Sequence, residues 1–238
     1  MADIYVYGEI GSDFNGMSAR TFADELKSAG GAPVTVHINS GGGNAFDANT
    51  MAELLRSYSG ETTAKIEGMA ASAASYFALT ANRVTISENA LMMIHNPWCC
   101  SCGTAEDLRT DAEFLDNVCV TIVNQYAKKS GRDAKEIQKL MDAETWFTAQ
   151  EAVDFGLADD MGEALDVAAS TYGREHFKNA PKSLFSDEKK KSEQKPEKHP
   201  RDEKKPLGEC ESTIGTVSNA GAVCLHGLFL KGNTDSKE

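Results

Sequence analysis

The chain has 238 residues, 41% of them apolar, enough for one sizeable domain with an appendage or for two small domains. Its formal net charge is -12, and no basic face stands out in the first 180 residues, which argues against nucleic acid or an anionic membrane as the main partner. The start MADIYVYGEI lacks the basic and apolar regions of a signal peptide, and no apolar run reaches the ~18 residues of a membrane span. The six cysteines, Cys99, Cys100, Cys102, Cys119, Cys210 and Cys224, form no evenly spaced framework, so a reducing, cytoplasmic setting is the default expectation.

Along the first half, short β-branched or aromatic runs alternate with helical stretches. IYVY (4–7), VTVHI (34–38), TAKIEG (63–68), RVTI (83–86) and LMMIH (91–95) read as strands, several too apolar on both faces for an open antiparallel sheet. Between them, residues 18–28 place Phe22 and Leu26 one turn apart, with Ser18 as N-cap. Residues 45–57 place Phe46, Met51, Leu54 and Leu55 on one helix face. Strands alternating with helices of this length predict βαβ units and a mainly parallel sheet. Two strand-to-helix turns, INSGGGNA (38–45) and EGMAASAA (67–74), are rich in glycine or small residues. Ligands of such folds sit there, at strand carboxyl ends and helix N-termini.

The second half is more helical. Residues 104–129 carry Leu108, Phe114 or Leu115, Val118, Ile122 and Tyr126 at three-to-four spacing, a long amphipathic helix closing before Ser130-Gly131. A helix over 134–141 follows. In ETWFTAQEAVDFGLADD (144–160), Thr148 caps a short helix that Gly156 ends, and Thr148-x-x-Glu151 is a capping-box pattern. From about residue 185 the composition shifts. SDEKKKSEQKPEKHPRDEKKP (186–206) is charged, proline-containing and nearly without apolar residues, and is read as a disordered linker. Residues 1–184 are thus one domain and 185–238 a linker and tail. AVCLHGLFL (222–230) is too short for a domain and reads as a docking peptide, a remnant or an added strand.

Cleaving an acyl bond with serine needs a hydroxyl with a base in reach, an acid group behind the base, and N–H donors for the oxyanion. Ser72 falls at the first turn of a helix after a strand, where backbone N–H groups lack partners. Taken alone, GMAASAAS (68–75) reads better as close helix–sheet packing through alanine. Three features shift that balance. Gly41, Gly42 and Gly43 free backbone N–H groups after a strand, without the lysine of a P-loop or the spacing of a dinucleotide fingerprint. His95 in LMMIHNPW lies at a strand end, whereas His37 inside VTVHI is structural. Asp142 and Glu144 stand just before Trp146 and Phe147, where a carboxylate can be partly buried beside an imidazole.

INSGGG, GMAASAAS, LMMIHNP and ETWFTAQEAVDFGLAD come in the order and spacing of the ClpP family of serine peptidases, which residues 4–160 resemble. The resemblance implies the ClpP/crotonase-like α/β fold, a ββα spiral with a long protruding helix. It implies Ser72 as nucleophile, His95 as general base, and the backbone N–H groups of Gly43 and Ala73 as oxyanion hole. The family's acid is an aspartate. Counting back from Ala149-Gln150-Glu151-Ala152, its position holds Glu144, with Asp142 as fallback. A polypeptide substrate and a homo-oligomeric ring, a heptamer or double heptamer, follow, with no cofactor and no metal.

Two departures point further. The segment alongside the substrate reads WCCSCGTA (98–105), where free thiols are expected rather than a metal site. The chain begins almost at its first strand, without the family's axial-loop segment, and carries a charged extension. That looks more like the phage-encoded head maturation branch, which acts on capsid or scaffold proteins without, or with little help from, an ATPase. The other readings are a housekeeping subunit working with an ATP-driven unfoldase, a crotonase-like acyl-CoA enzyme, and an inactive ring-forming assembly protein.

Overall fold

The structure, a computed structural model, describes residues 1–163 and 177–181, and the backbone of 223–224. The chain runs β1 (Ala2–Ile10), β2 (Gly16–Met17), α1 (Ala19–Ala29), β3 (Val34–Gly43), α2 (Ala45–Ser57), β4 (Thr62–Ala71), α3 (Ala73–Ala78), β5 (Arg83–Ser87) and β6 (Leu91–Ile94). It continues with β7 (Cys99–Cys100), α4 (Ala105–Ser130), α5 (Ala134–Asp142), β8 (Thr145–Thr148), α6 (Ala149–Phe155), β9 (Asp160–Gly162) and β10 (Val223–Cys224). The predicted domain boundary at 184/185, the linker 186–206 and most of 222–230 lie outside the described residues.

The main sheet has the order β2-β1-β3-β4-β5-β9, with β6 added on β4 and β8 on β6. Every pairing in it is parallel except β6 with β8, so the α/β reading from alternating strands and helices holds. β4 serves two partners in turn. Its first half pairs with β5 (Thr63↔Arg83 to Ile66↔Ile86), its second with β6 (Met69↔Leu91 to Ala71↔Met93). This split lets two loops meet at one sheet end.

Alternation sets the core. Val36 and Ile38 of β3 and Ile4 and Val6 of β1 are buried against Phe22 and Leu26 of α1 and Met51 and Leu55 of α2. Ser18 caps α1 by accepting from Thr21 N, as its position before the apolar stripe predicts. Phe46 departs from expectation. It is exposed, because α2 buries its alanines, Ala48 and Ala52, beside Met51 and Leu55. On the opposite sheet face His37 Nδ1 lies 2.8 Å from Glu67 Oε1 and Nε2 3.2 Å from Asp3 Oδ1, while Tyr7 OH donates to Glu67 Oε2. His37 is thus part of a polar strand-to-strand network.

Three elements differ from the sequence-based expectation. β3 and β4 run through the glycine and alanine stretches to residues 43 and 71 instead of ending at 38 and 68. Small side chains let them stay paired: Gly43 sits opposite Ile10, and a Cβ on it would lie 2.2 Å from Ile10 O. TWFT (145–148) is a strand, held antiparallel on β6 before Thr148 caps α6 with its capping box. As the family resemblance implies for the long helix, α4 buries only Val123 and Tyr126; Leu108 and Val120 are exposed, so most of the helix protrudes from the domain. Thr104 and Asp107 close a second capping box at its start.

Tyr126 is the deepest anchor of α4. Its hydroxyl lies 2.7 Å from Ser75 Oγ, which in turn lies 2.7 Å from Ser72 O and from Met93 O. Ser75 has one proton, given to these carbonyls, so Tyr126 donates to Oγ. Burial pushes the Tyr126 phenol well above its ordinary value, so it stays a neutral donor. Ser75→Ala would strand this buried hydroxyl. It is expected to lower folding stability by ~1–3 kcal/mol, read as a lower denaturant midpoint.

Candidate active site

The site forms where β4 and β6 end side by side. Their parallel register carries the chain out of β4 at Ala71 and out of β6 at Ile94, one residue before Ser72 and His95. Ser72 N donates to Met93 O at 3.0 Å, which stitches the two exits together. Ser72 caps α3 with φ 55° and ψ -127°, a backbone region that residues with side chains rarely adopt. That turn swings Oγ away from the helix: it makes no cap bond and lies 2.7 Å from His95 Nε2. Of the two serines of GMAASAAS, Ser72 faces the imidazole, and Ser75 is the buried anchor described above.

Glycine makes room for this turn. Gly42, with φ +98°, lies against it, and a Cβ there would come within 2.8 Å of both Ala71 O and Ser72 Cβ. Gly43 and Ala73 border the same cavity as Ser72 and His95, a space of about 200 Å³. Ala73 opens α3, where N–H groups have no intrahelical partner. The rest of the wall is mainly apolar, with Phe46, Trp98, Phe114, Val118 and Ile122. Phe46 and Phe114 stack with centroids 6.0 Å apart. The apolar stripe predicted on α4 is therefore largely a cavity wall rather than core.

Behind the imidazole the two candidate carboxylates separate. Asp142 is exposed, and its Oδ1 accepts from Asn96 Nδ2 at 2.9 Å and Gln138 Nε2 at 2.8 Å. Those bonds hold its carboxyl below the usual aspartate value. Glu144 is buried, with its backbone in the left-handed region at φ 48°. Its charge acts on His95, yet among the described residues no hydrogen bond joins the two. Instead its oxygens accept from Lys178 N (3.0 Å), Asn179 N (2.7 Å) and Trp146 Nε1 (3.4 Å). Burial pushes the His95 pKa below the ordinary histidine value, with Glu144 opposing and Lys178 adding to the shift. A half-buried imidazole kept neutral, with a hydroxyl on one nitrogen, can accept that hydroxyl's proton.

Comparison with known proteins gives the family. Residues 4–164 match the family model described as Clp protease. The chain belongs to the Clp protease family. Clp proteases of this type are serine peptidases, so this chain is one by membership. It is 30% identical over 145 residues to the ATP-dependent Clp protease proteolytic subunit 1 of Protochlamydia amoebophila, covering 59% of this chain and 70% of that one. It is 32% identical over 133 residues to the subunit of the same name from Chlamydia abortus, covering 54% and 69%. A ClpP1 point mutant from Listeria monocytogenes shares the fold, with a TM-score of 0.60 over 69% of this chain and 92% of that one. At 24% identity that likeness speaks for the fold alone.

The structure adds residues that the sequence reading missed. Tyr126 was placed on a helix stripe, but its bond to Ser75 was not foreseeable from spacing. Phe177, Lys178 and Asn179 were not singled out, because REHFKNAPK carries no periodicity or motif. Cys99, Cys100 and Cys119 are free thiols, and Cys99 borders the cavity. β10 pairs in parallel with β7, so part of 222–230 is an added strand beside the site. Gly42→Ala would force a Cβ into the Ser72 turn at a positive φ. It is expected to destabilise the fold by at least about 1 kcal/mol, measured as a lower melting or urea midpoint.

Proposed function

We propose that this Clp-family chain is a serine endopeptidase in which Ser72 attacks the peptide carbonyl and His95 takes the hydroxyl proton. The 2.7 Å approach of His95 Nε2 to Ser72 Oγ carries this reading. His95 then returns the proton to the leaving amine, and water repeats the cycle on the acyl-enzyme. The N–H groups of Gly43 and Ala73 are the oxyanion donors in this reading, supported by their place on the cavity wall with Ser72. Glu144 is the acid. It stabilises the imidazolium by its charge and not through a direct bond. The apolar wall of Phe46, Trp98, Phe114 and Val118 favours an apolar substrate side chain next to the cleaved bond.

The same reading makes the chain a subunit of a homo-oligomeric ring. Exposed apolar residues along the protruding α4, Leu108, Phe114 and Val120, support packing against another copy. No described helix is long and apolar enough to cross a membrane. The finer role, maturation of phage capsid or scaffold proteins, draws no support from the relatives described above, which are named proteolytic subunits of ATP-dependent proteases. They favour the reading of a Clp-type proteolytic subunit that degrades polypeptides. The crotonase-like and inactive alternatives both predict that Ser72 and His95 are dispensable.

A fluorophosphonate probe tests the nucleophile. Wild-type protein should label, and Ser72→Ala should not; an unlabelled, properly assembled wild type would sink the proposal. Cleavage of an unfolded protein should fall by at least about 10³-fold in His95→Ala, and equal rates would reject catalysis by His95. The pH dependence has a defined sign. His95 acts when neutral, and its pKa is lowered, so the acid limb of kcat/KM should lie below the ordinary histidine value of about 6.5.

A further inference from the structure

The segment Phe177–Pro181 lies beyond residue 164, where the family match ends, yet it sits on the site. Phe177 packs on a small cluster of Met69, Ala71 and Met93, with Trp146 beside it. Each of these neighbours is close in the chain to one site residue. Ala71 precedes Ser72, Met93 lies two before His95, and Trp146 lies two after Glu144. The Phe177 ring meets Trp146 edge-on at 5.4 Å and His95 at 6.5 Å between centroids. The next two residues turn their backbone N–H groups onto Glu144, at 3.0 Å from Lys178 and 2.7 Å from Asn179. Asn179 Nδ2 also donates to Ala143 O at 2.8 Å, which ties the segment to the residue before Glu144.

We propose that Phe177–Asn179 is a positioning strap for the His95–Glu144 pair, its N–H groups fixing the carboxylate and its aromatic ring shielding the imidazole from water. The inference rests on the reading of Ser72 and His95 as the catalytic pair. A buried carboxylate needs donors to replace lost water. The strap supplies two, and the indole of Trp146 a third. Glutamate reaches one methylene further than aspartate, and its oxygens go to the strap. The carboxylate is thereby held in place beside the imidazole. Phe177 closes the remaining side. The polar and charged groups that face His95 are the Ser72 hydroxyl, Glu144 and Lys178. None of the three strap residues contacts Ser72 by a hydrogen bond, so their action goes through His95 and Glu144.

The test uses the full chain, a fluorogenic peptide with an apolar residue before the cleaved bond, and pH profiles. Phe177→Ala is expected to lower kcat roughly 10- to 100-fold with little change in KM, within the ~10²–10⁴ that a positioned general base supplies. Water then reaches His95 and lifts its pKa, so the acid limb moves to higher pH, toward about 6.5. Phe177→Leu, which keeps an apolar cover, should restore most of the rate and the original limb. Asn179→Pro, which deletes one N–H donor, should lower kcat with Phe177 in place, and it carries the test if Phe177→Ala fails to assemble. An unchanged kcat and an unmoved acid limb in these variants would overturn the strap. Ser72→Ala is run alongside. Its full loss of activity with unaffected strap variants rejects the strap alone, whereas retained activity in Ser72→Ala rejects the site reading beneath it.

Discussion

The site depends on one short stretch of parallel pairing. Three residue pairs, Met69↔Leu91, Ala70↔Met92 and Ala71↔Met93, bring together two chain exits separated by more than twenty positions in sequence. Everything chemical follows from where those exits point. Shift the register by one residue and every side chain of LMMI would move to the opposite face of the sheet. Both faces are packed, Met92 and Ile94 in the main core and Met93 in a smaller cluster, so a slip would misfit both, and that resists it. The core thus sets the spacing of Ser72 and His95.

The second constraint is crowding at the β4 exit. Ser72 occupies a backbone conformation that costs on the order of 1–3 kcal/mol and survives only when its surroundings over-determine it. Four neighbours do so. Ser72 N is bound to Met93 O, Ser72 O accepts from Ser75 Oγ and from Tyr76 N, and Gly42 fills the space beneath without a Cβ. Alanines at 70, 71, 73 and 74 are all buried, which lets helix, strand and glycine run approach to backbone distance. Small residues here serve packing and chemistry at once, so the choice between close packing and a functional turn at GMAASAAS does not arise physically.

This explains which parts were legible in the sequence. The strands and helices of the first half show clean two- and three-to-four-residue periods because each buries one face, and caps such as Ser18 and Thr148 obey local rules. Ser72, His95 and the glycine run were legible because their motifs record short-range backbone demands. Three things were not. The glycine and alanine segments read as turns, since nothing local reveals that β1 and β6 keep them in the sheet. TWFT was assigned no element, because its strand partner, LMMI, is more than fifty residues away. What the α4 stripe faces was hidden too, because a helix that lines a cavity shows the same period as one that faces a core.

Glu144 is where local and distant effects meet. From sequence alone, it is a glutamate where the family pattern has an aspartate, one methylene longer. In three dimensions the extra length has a destination. The carboxylate accepts from backbone donors of Lys178 and Asn179, in a segment outside the family match. A glutamate left without those donors would be a buried charge with only an indole N–H for solvation, a costly arrangement. An aspartate in its place would fall short of the same N–H groups. Glu144 and residues 178–179 are thus best understood together: the buried carboxylate finds its backbone donors there, and the segment finds its anchor at Glu144.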